Sequence, residues 1–314
     1  MKILVTGGAG FIGSHIVDKL VAQNAAVVVV DDLSTGLAAN VNPAARLIRL
    51  DIAKDDLEPL FAAERFDYVI HLAAQTAVPK SIAAPDYDCA VNILGTVNIL
   101  ETSRQTGVKR VVFSSTAAVY GSAAVPIAEN AALAPFSFYG LSKMTAESYF
   151  RLYRDIFGLE YIILRYANVY GERQGDAGEG GVVSIFTRLL AAGRPLDIFG
   201  DGGQTRDFVY VGDVAAANLR ALVSPAANAV YNISTGTETS VNDLVAILAK
   251  VAGREAAIRH LPAREGDIYR SCLDNSKGVK ALSWQPQMPL GEGLAATYRA
   301  LAGDIPAAAT KLRR

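Results

Sequence analysis

The sequence predicts an α/β fold, a Rossmann-like doubly wound parallel sheet with a smaller C-terminal substrate-binding region. Three observations predict it. Short apolar runs alternate with helical patterns through the first half of the chain, as strands buried on both faces of a parallel sheet require. A glycine turn follows the first run and opens the first helix. After about residue 170 the rhythm changes to glycine-rich loops and mixed elements. The expected boundary lies there, with residues 1–170 as the sheet domain and 171–314 as mainly the covering region, some later segments returning to the sheet.

The strand runs are taken in order. Ile3-Leu4-Val5 is the first, Val27 to Val30 the second, and Leu47-Ile48 a weaker third. Tyr68-Val69-Ile70, Val111-Val112-Phe113 and Tyr161 to Leu164 complete the series. Helical spacing covers Asn92 to Gln105 and Tyr139 to Phe157, and Gly107 and Gly158 stand just past those ends, where a left-handed cap is wanted. In the second half Gly175 to Gly181 is a polar loop, Gly200-Asp201-Gly202-Gly203 a turn, and Val241 to Val251 a helix.

Composition narrows the function classes. The chain has 314 residues, 51% of them hydrophobic, so a sizeable core can form. Thirty basic and 31 acidic residues leave a net charge of −1, without the basic excess of a general nucleic-acid binder. No apolar run approaches the roughly 18 residues of a membrane span. Cys89 and Cys272 form no CxxC pair and no metal-like cluster with His15, His71 and His260, so no metal is expected. Free thiols and the lack of a secretory leader predict a cytoplasmic protein.

Thr6 to Gly13 reads TGGAGFIG, with Gly7, Gly10 and Gly13 spaced GxxGxxG. A tight turn that lets backbone approach a pyrophosphate demands residues without Cβ, and the helix N-terminus beyond it offers free N–H groups. The context supports this reading, with a strand before, a helix after, and Asp31 ending the second strand 18 residues past Gly13. A carboxylate there bonds ribose hydroxyls and repels a 2′-phosphate, which selects NAD over NADP. Asp32 is a neighbouring candidate, and Asp51-Ile52 after the third strand would bracket adenine.

Tyr139 and Lys143 form YxxxK on the second long helix, one turn apart on one face. A phenol titrates near 10; a neighbouring ammonium and a bound nicotinamide favour its phenolate. Tyr139 is therefore the candidate proton acceptor and donor for a sugar hydroxyl, with Lys143 also holding the nicotinamide ribose. Thr116 closes the run Phe113-Ser114-Ser115-Thr116 at the carboxyl end of a strand, where ligands of open sheets gather.

Taken together, TGGAGFIG, HLAAQ, NILGTVNILE, SSTAAVYG, YGLSK, RYANVYG and GDGGQTRDFVYVGDV stand in the order shown by the extended short-chain dehydrogenase/reductase family. The chain resembles that family over nearly its whole length, most closely its UDP-glucose 4-epimerase (UDP-galactose 4-epimerase) branch of the shorter prokaryotic type. The resemblance implies tightly held NAD, removal of the 4-OH proton by the tyrosine, and a transient 4-keto sugar that takes hydride back on its other face.

It also implies roles residue by residue. Phe11 and Ile12 fall on the cofactor loop. Leu72, Ala73, Ala74 and Gln75 line the cofactor channel, Asn92 lies near the adenosine end, and Tyr166 reaches the nicotinamide. On the substrate side, Asn168 and Val182 meet the nucleotide sugar, Arg206 and Arg264 clamp the diphosphate by their planar forks, and Asp267 binds ribose. Ser271 falls beside the sugar, where a small side chain leaves room for a 2-N-acetyl group. Helices around 92–106 and 140–157 resemble the pair that forms a four-helix contact between two subunits, so a homodimer is expected.

One departure and two alternatives frame the expectation. Thr116-Ala117-Ala118 lacks the Asp-Glu pair that sugar-nucleotide dehydratases of the family place after the threonine. A UDP-glucuronate or UDP-pentose 4-epimerase, or a decarboxylase, would keep the site and need a basic group near C6, for which Lys80 is a candidate. A non-catalytic NAD-binding sensor would be expected to lack Tyr139 or Lys143, and both are present.

Overall fold

Strands form where the sequence runs apolar in both phases of the pleat. In the computed structural model, which describes residues 1–175, 181–264 and 268–303, the first half runs β1 (Lys2–Thr6), α1 (Phe11–Ala22), β2 (Ala26–Asp31), β3 (Arg46–Arg49), α2 (Glu58–Glu64) and β4 (Tyr68–His71). Then come α3 (Val78–Ala83), α4 (Pro85–Cys89), a π-helical turn (Ala90–Leu94), α5 (Gly95–Thr106), β5 (Arg110–Thr116), α6 (Phe138–Phe157) and β6 (Glu160–Tyr166). The second half adds β7 (Asn168–Tyr170), α7 (Val182–Ala191), β8 (Leu196–Phe199), β9 (Thr205–Arg206), β10 (Phe208–Tyr210) and α8 (Val211–Val223). It ends with β11 (Ala229–Ile233), β12 (Thr239–Ser240), α9 (Val241–Ala252), β13 (Ile258–Leu261), α10 (Ser276–Leu282) and α11 (Leu290–Gly303).

Seven strands pair in parallel in the order β11-β6-β5-β4-β1-β2-β3. Alternate residues serve opposite faces. Ile3, Val5, Val27, Val29, Ile70 and Val112 pack under α1 and α8 with Ile16, Val17, Leu20 and Val214. Leu4, Val28, Val30, Val69, Val111 and Phe113 pack under α5 and α6 with Ile99, Leu100, Ala146 and Phe150. Each such side chain contributes about 1.5–3 kcal/mol on burial, which explains why the runs carry no polar phase. The chain leaves β1 toward β2 on one side and returns to β4 on the other, so the switch point lies between β1 and β4, and ligands of such sheets sit outside the carboxyl ends there.

A separate core gathers Tyr170, Val183, Phe186, Leu196, Leu244, Leu248 and Leu294 from β7, α7, β8, α9 and α11. The late strand β11 joins the main sheet beside β6. Helix ends fall where glycine permits: Gly107 (φ 77°) and Gly158 (φ 78°) close α5 and α6. One element departs from its periodicity. Helical spacing from Asn92 predicts plain α-helix, but residues 90–94 form a π turn before α5 starts at Gly95. Such an inserted residue leaves the apolar spacing nearly intact, so a pattern reading passes over it.

Candidate active site

The turn from β1 into α1 is closed by atoms that leave no room for a Cβ. Gly7 (φ +70°) donates its N–H to the Val30 carbonyl at 2.8 Å, and a Cβ on it would lie 2.7 Å from the Ala73 nitrogen. On Gly13 a Cβ would lie 2.1 Å from the Gly7 carbonyl oxygen. Helix α1 begins after Gly10 with no side-chain cap and no acid in its first turn. Its leading N–H groups and positive dipole end are therefore offered to an anion.

Asp31 ends β2 almost buried. Its carboxylate accepts the Ala9 and Leu33 N–H groups, both at 2.9 Å. Burial pushes the carboxyl up, and those two backbone donors oppose the shift. Asp32 turns to its own loop and accepts the Ser34 N–H and hydroxyl. Asp51 accepts the Ala53 N–H and pairs with Lys54 at 2.8 Å, while Ile52 packs under it, 4% exposed.

These groups open on one cleft of about 310 Å³. Gly7, Gly10, Phe11, Ile12 and Gly13 form its floor; Asp31, Asp32, Asp51 and Ile52 stand at one end; Leu72, Ala73 and Ala74 form a wall; Thr116, Tyr139, Lys143 and Tyr166 lie at the other end. Gln75 and Asn92 do not reach the cleft. They are buried behind the wall and bond to each other: the Asn92 Oδ1 accepts the Gln75 N–H at 2.8 Å, and its Nδ2 donates to the Gln75 carbonyl at 2.9 Å. Asn92 also bonds Ser142 of α6, so it lies beside the helix that carries Tyr139 and Lys143.

The reacting end is built from β5 and α6. The Ser137 hydroxyl caps α6 by accepting the Gly140 N–H at 3.0 Å, which fixes Tyr139 in the first turn and Lys143 one turn later. Lys143 is 3% exposed; its Nζ donates to the Ser114 carbonyl at 3.0 Å and lies 4.7 Å from the centre of the Phe113 ring. Burial pushes its ammonium down to about 8, against the opposing charges of Asp88 and Glu147. The Thr116 hydroxyl accepts the Ala118 N–H at 3.1 Å, so its oxygen is fixed and its proton remains to be donated.

Two phenols face this end, and their environments separate them. The Tyr166 ring lines the cleft, but its hydroxyl bonds Ser114 at 2.9 Å and the buried amide of Asn218. Burial pushes that phenol up to about 12 although both bonds oppose the shift. Tyr166 stays neutral at working pH, and the other phenol, Tyr139, stands one helical turn before Lys143 on α6 and lines the same cleft.

Of the remaining predicted residues, those described do not line this cleft. Thr205 takes the Tyr269 carbonyl at 2.8 Å and bridges Arg270, which sets the segment of Arg206 alongside that of Ser271. Arg206 donates to the Thr205 carbonyl. The Arg264 guanidinium stacks 3.7 Å from the centre of the Phe199 ring. Val182 is the first residue of α7, and Asn168 is an exposed residue of β7 whose N–H is held by the Asp207 carbonyl. Asp267 lies outside the described residues. Sequence reasoning did not find Asp88, Glu147 or Arg165, whose charges are buried next to the reacting groups.

A glycine cradle at a sheet switch point, joined by one cleft to a Tyr–Lys pair, defines a dinucleotide-binding α/β protein of the extended dehydrogenase type. The chain belongs to the NAD dependent epimerase/dehydratase family, whose profile matches residues 3–234. It is 42% identical to the UDP-glucose 4-epimerase of Mycolicibacterium smegmatis over 95% of this chain and 97% of that one. Its structure is similar to that of the Thermotoga maritima UDP-glucose 4-epimerase with UDP-glucose, with a TM-score of 0.94, 43% identity and coverage of 96% and 99%. The Thermus thermophilus UDP-glucose 4-epimerase complex with NAD gives a TM-score of 0.91 at 40% identity, covering 97% and 100%.

Proposed function

We propose that the protein is an NAD-dependent 4-epimerase of UDP-hexoses, interconverting UDP-glucose and UDP-galactose through a transient 4-keto sugar. The observation that carries this reading is the opening of Thr116, Tyr139 and Lys143 on the same cleft as the glycine cradle and Asp31. The cradle, the uncapped α1 terminus and the buried Asp31 carboxylate fit a dinucleotide without a 2′-phosphate. NAD, when bound, supplies a hydride acceptor and donor. Lys143 holds positive charge beside Tyr139, Tyr139 exchanges the 4-OH proton, and Thr116 donates to the substrate oxygen. In this reading residues 1–170 hold the cofactor and 171–314 mainly hold the nucleotide sugar. Arg206 and Arg264 take the diphosphate, and Asn168, Val182, Asp267 and Ser271 take the rest. Ala117 and Ala118 provide no acid for elimination at C6, which disfavours a dehydratase.

Purified protein incubated with UDP-galactose and no added cofactor should invert C4 by proton NMR. No inversion, even with NAD supplied, would overturn the reading and turn the search to UDP-glucuronate and UDP-pentose substrates. Ser271 leaves space for a 2-N-acetyl group, so UDP-N-acetylgalactosamine should also turn over. Ser271→Tyr should then slow the acetylated sugar by about tenfold or more relative to the plain one, the range a single filled pocket gives. Equal slowing of both would place Ser271 away from the acetamide.

A homodimer completes the proposal. Leu141, Tyr149, Leu152 and Ile156 lie exposed along one side of α6, Ile156 at 66%, and an apolar stripe of that length is usually covered. Sedimentation at micromolar concentration should give the mass of two chains, and Leu152→Arg should give one. Cys89 and Cys272 are free thiols, and no helix among the described residues is long and apolar enough to cross a membrane; a reducing cytoplasm and a role in galactose metabolism fit both the thiols and the proposed substrate.

A further inference from the structure

We infer that Asp88 is the counter-charge of Lys143, a buried carboxylate that keeps the site's ammonium protonated and so holds Tyr139 competent near neutral pH. The inference rests on the roles proposed above for Tyr139 and Lys143. An ammonium 3% exposed is costly without an opposite charge. The charged or titratable groups around it are His71 on β4, Asp88 on α4, Tyr139 and Glu147 on α6, and the neutral Tyr166 phenol on β6, with Arg165 of β6 behind Glu147.

Each can be assessed in turn. His71 carries no charge: its two ring nitrogens are taken by the Thr6 and Thr96 hydroxyls at 2.7 and 3.0 Å, and burial holds it at about 3. Glu147 is already neutralised, because both of its oxygens meet the Arg165 guanidinium and Arg151 adds a third contact at 3.3 Å. Asp88 is 1% exposed and has no ion pair among the described residues. Its Oδ1 accepts the Gln75 Nε2 at 2.8 Å and the Asn92 Nδ2 at 3.1 Å. Both donors are neutral amides, which satisfy the carboxylate without cancelling its charge.

The location is built rather than incidental. The π turn at 90–94 carries Asn92, whose Nδ2 shares its two hydrogens among the Gln75 carbonyl at 2.9 Å, the Ser142 hydroxyl at 3.0 Å and Asp88 at 3.1 Å. Ser142 in turn donates to the Tyr139 carbonyl. Asp88 is thus one amide away from the residue between Tyr139 and Lys143. Of the two carboxylates that oppose the downward push on Lys143, Asp88 is the larger influence.

The test compares Asp88→Asn with the exchange variant Asp88→Asn/Asn92→Asp, which moves the charge one helical turn. Removing a nearby negative charge favours the neutral amine. The descending limb of the kcat–pH profile should therefore move to lower pH by about one unit in D88N. At the pH of the wild-type limb kcat should fall several-fold, with KM little changed. The exchange variant should bring the limb back. Lys143 is also read directly in NAD-loaded protein with 13C-labelled lysine, its Cε resonance assigned by its absence in Lys143→Met; its titration midpoint should shift in the same sense. That readout needs no turnover, so a wild type that fails to epimerise overturns the function while leaving this inference testable. Where D88N does not fold, Asp88→Ser removes the same charge and should give the same shift. An unmoved Lys143 midpoint in the charge-removing variant, or an exchange variant that stays shifted, would overturn the assignment.

Discussion

Tyr139→Phe should lower kcat for UDP-galactose epimerisation by about 10²–10⁴-fold, the usual contribution of a positioned acid–base group. The barrier rises by about 3–5 kcal/mol. The effect is large because the other hydroxyls described at this end of the cleft, those of Tyr166 and Thr116, are held in other bonds. Tyr166 lines the same cleft, but its phenol is turned to Ser114 and Asn218 and pushed up to about 12 by burial. The Thr116 oxygen accepts a backbone N–H, which suits it to donate rather than to take a proton. Lys143 is protonated for its part in the site and is tied to the Ser114 carbonyl. Initial rates by proton NMR measure the loss, and unchanged thermal melting and NAD content would locate it in the chemistry. A fall of less than about tenfold would mean that another group carries the proton.

The parts of this site that the sequence made legible are those whose residue types are scarce and whose spacing is dictated by backbone contact. Gly7 and Gly13 have no alternatives where a Cβ would meet the Ala73 nitrogen or the Gly7 carbonyl. Asp31 follows four valines and so ends a strand unmistakably. Tyr139 and Lys143 need only the helical repeat to be placed together. The resemblance places Gln75 in the cofactor channel and Asn92 near the adenosine end, whereas both are buried and bonded to each other, with Asn92, in the π turn, also bonded to Ser142; a side chain's direction in such a turn is not written in the apolar spacing. Glu147 is harder still. A glutamate in the middle of a 20-residue amphipathic helix looks like part of a solvated face, and Arg165 looks like a break in an apolar strand. Only their meeting across two elements makes either one sensible.

That meeting predicts a second large effect, on stability. Arg165→Met should cost about 3–5 kcal/mol, because it removes the buried cation of a buried carboxylate and leaves only the half-exposed Arg151 near it. Glu147 is 0% and Arg165 1% exposed. The guanidinium gives Nε and Nη2 to the two Glu147 oxygens and Nη1 to the Tyr120 hydroxyl at 2.9 Å and the Glu129 carbonyl at 3.1 Å. Without it Glu147 keeps only the Ser115 hydroxyl at 2.7 Å and the half-exposed Arg151 at 3.3 Å. For a chain of this size the melting temperature should drop by about 5–8 °C. A paired change tests the cause. Glu147→Leu in the Arg165→Met background removes the stranded charge and should restore much of the loss, since apolar replacement of a whole buried pair is often close to neutral. Recovery of stability need not restore rate. Glu147 is one turn past Lys143 on α6, Ser115 adjoins Thr116 on β5, and Arg165 adjoins Tyr166 on β6, so the pair fixes the helix of the base against the two strands that complete the site. The double variant should melt near the wild type yet turn over more slowly. A double variant as unstable as Arg165→Met would instead assign the loss to packing around Tyr120, and one with full activity would show that the neighbouring core alone sets the geometry.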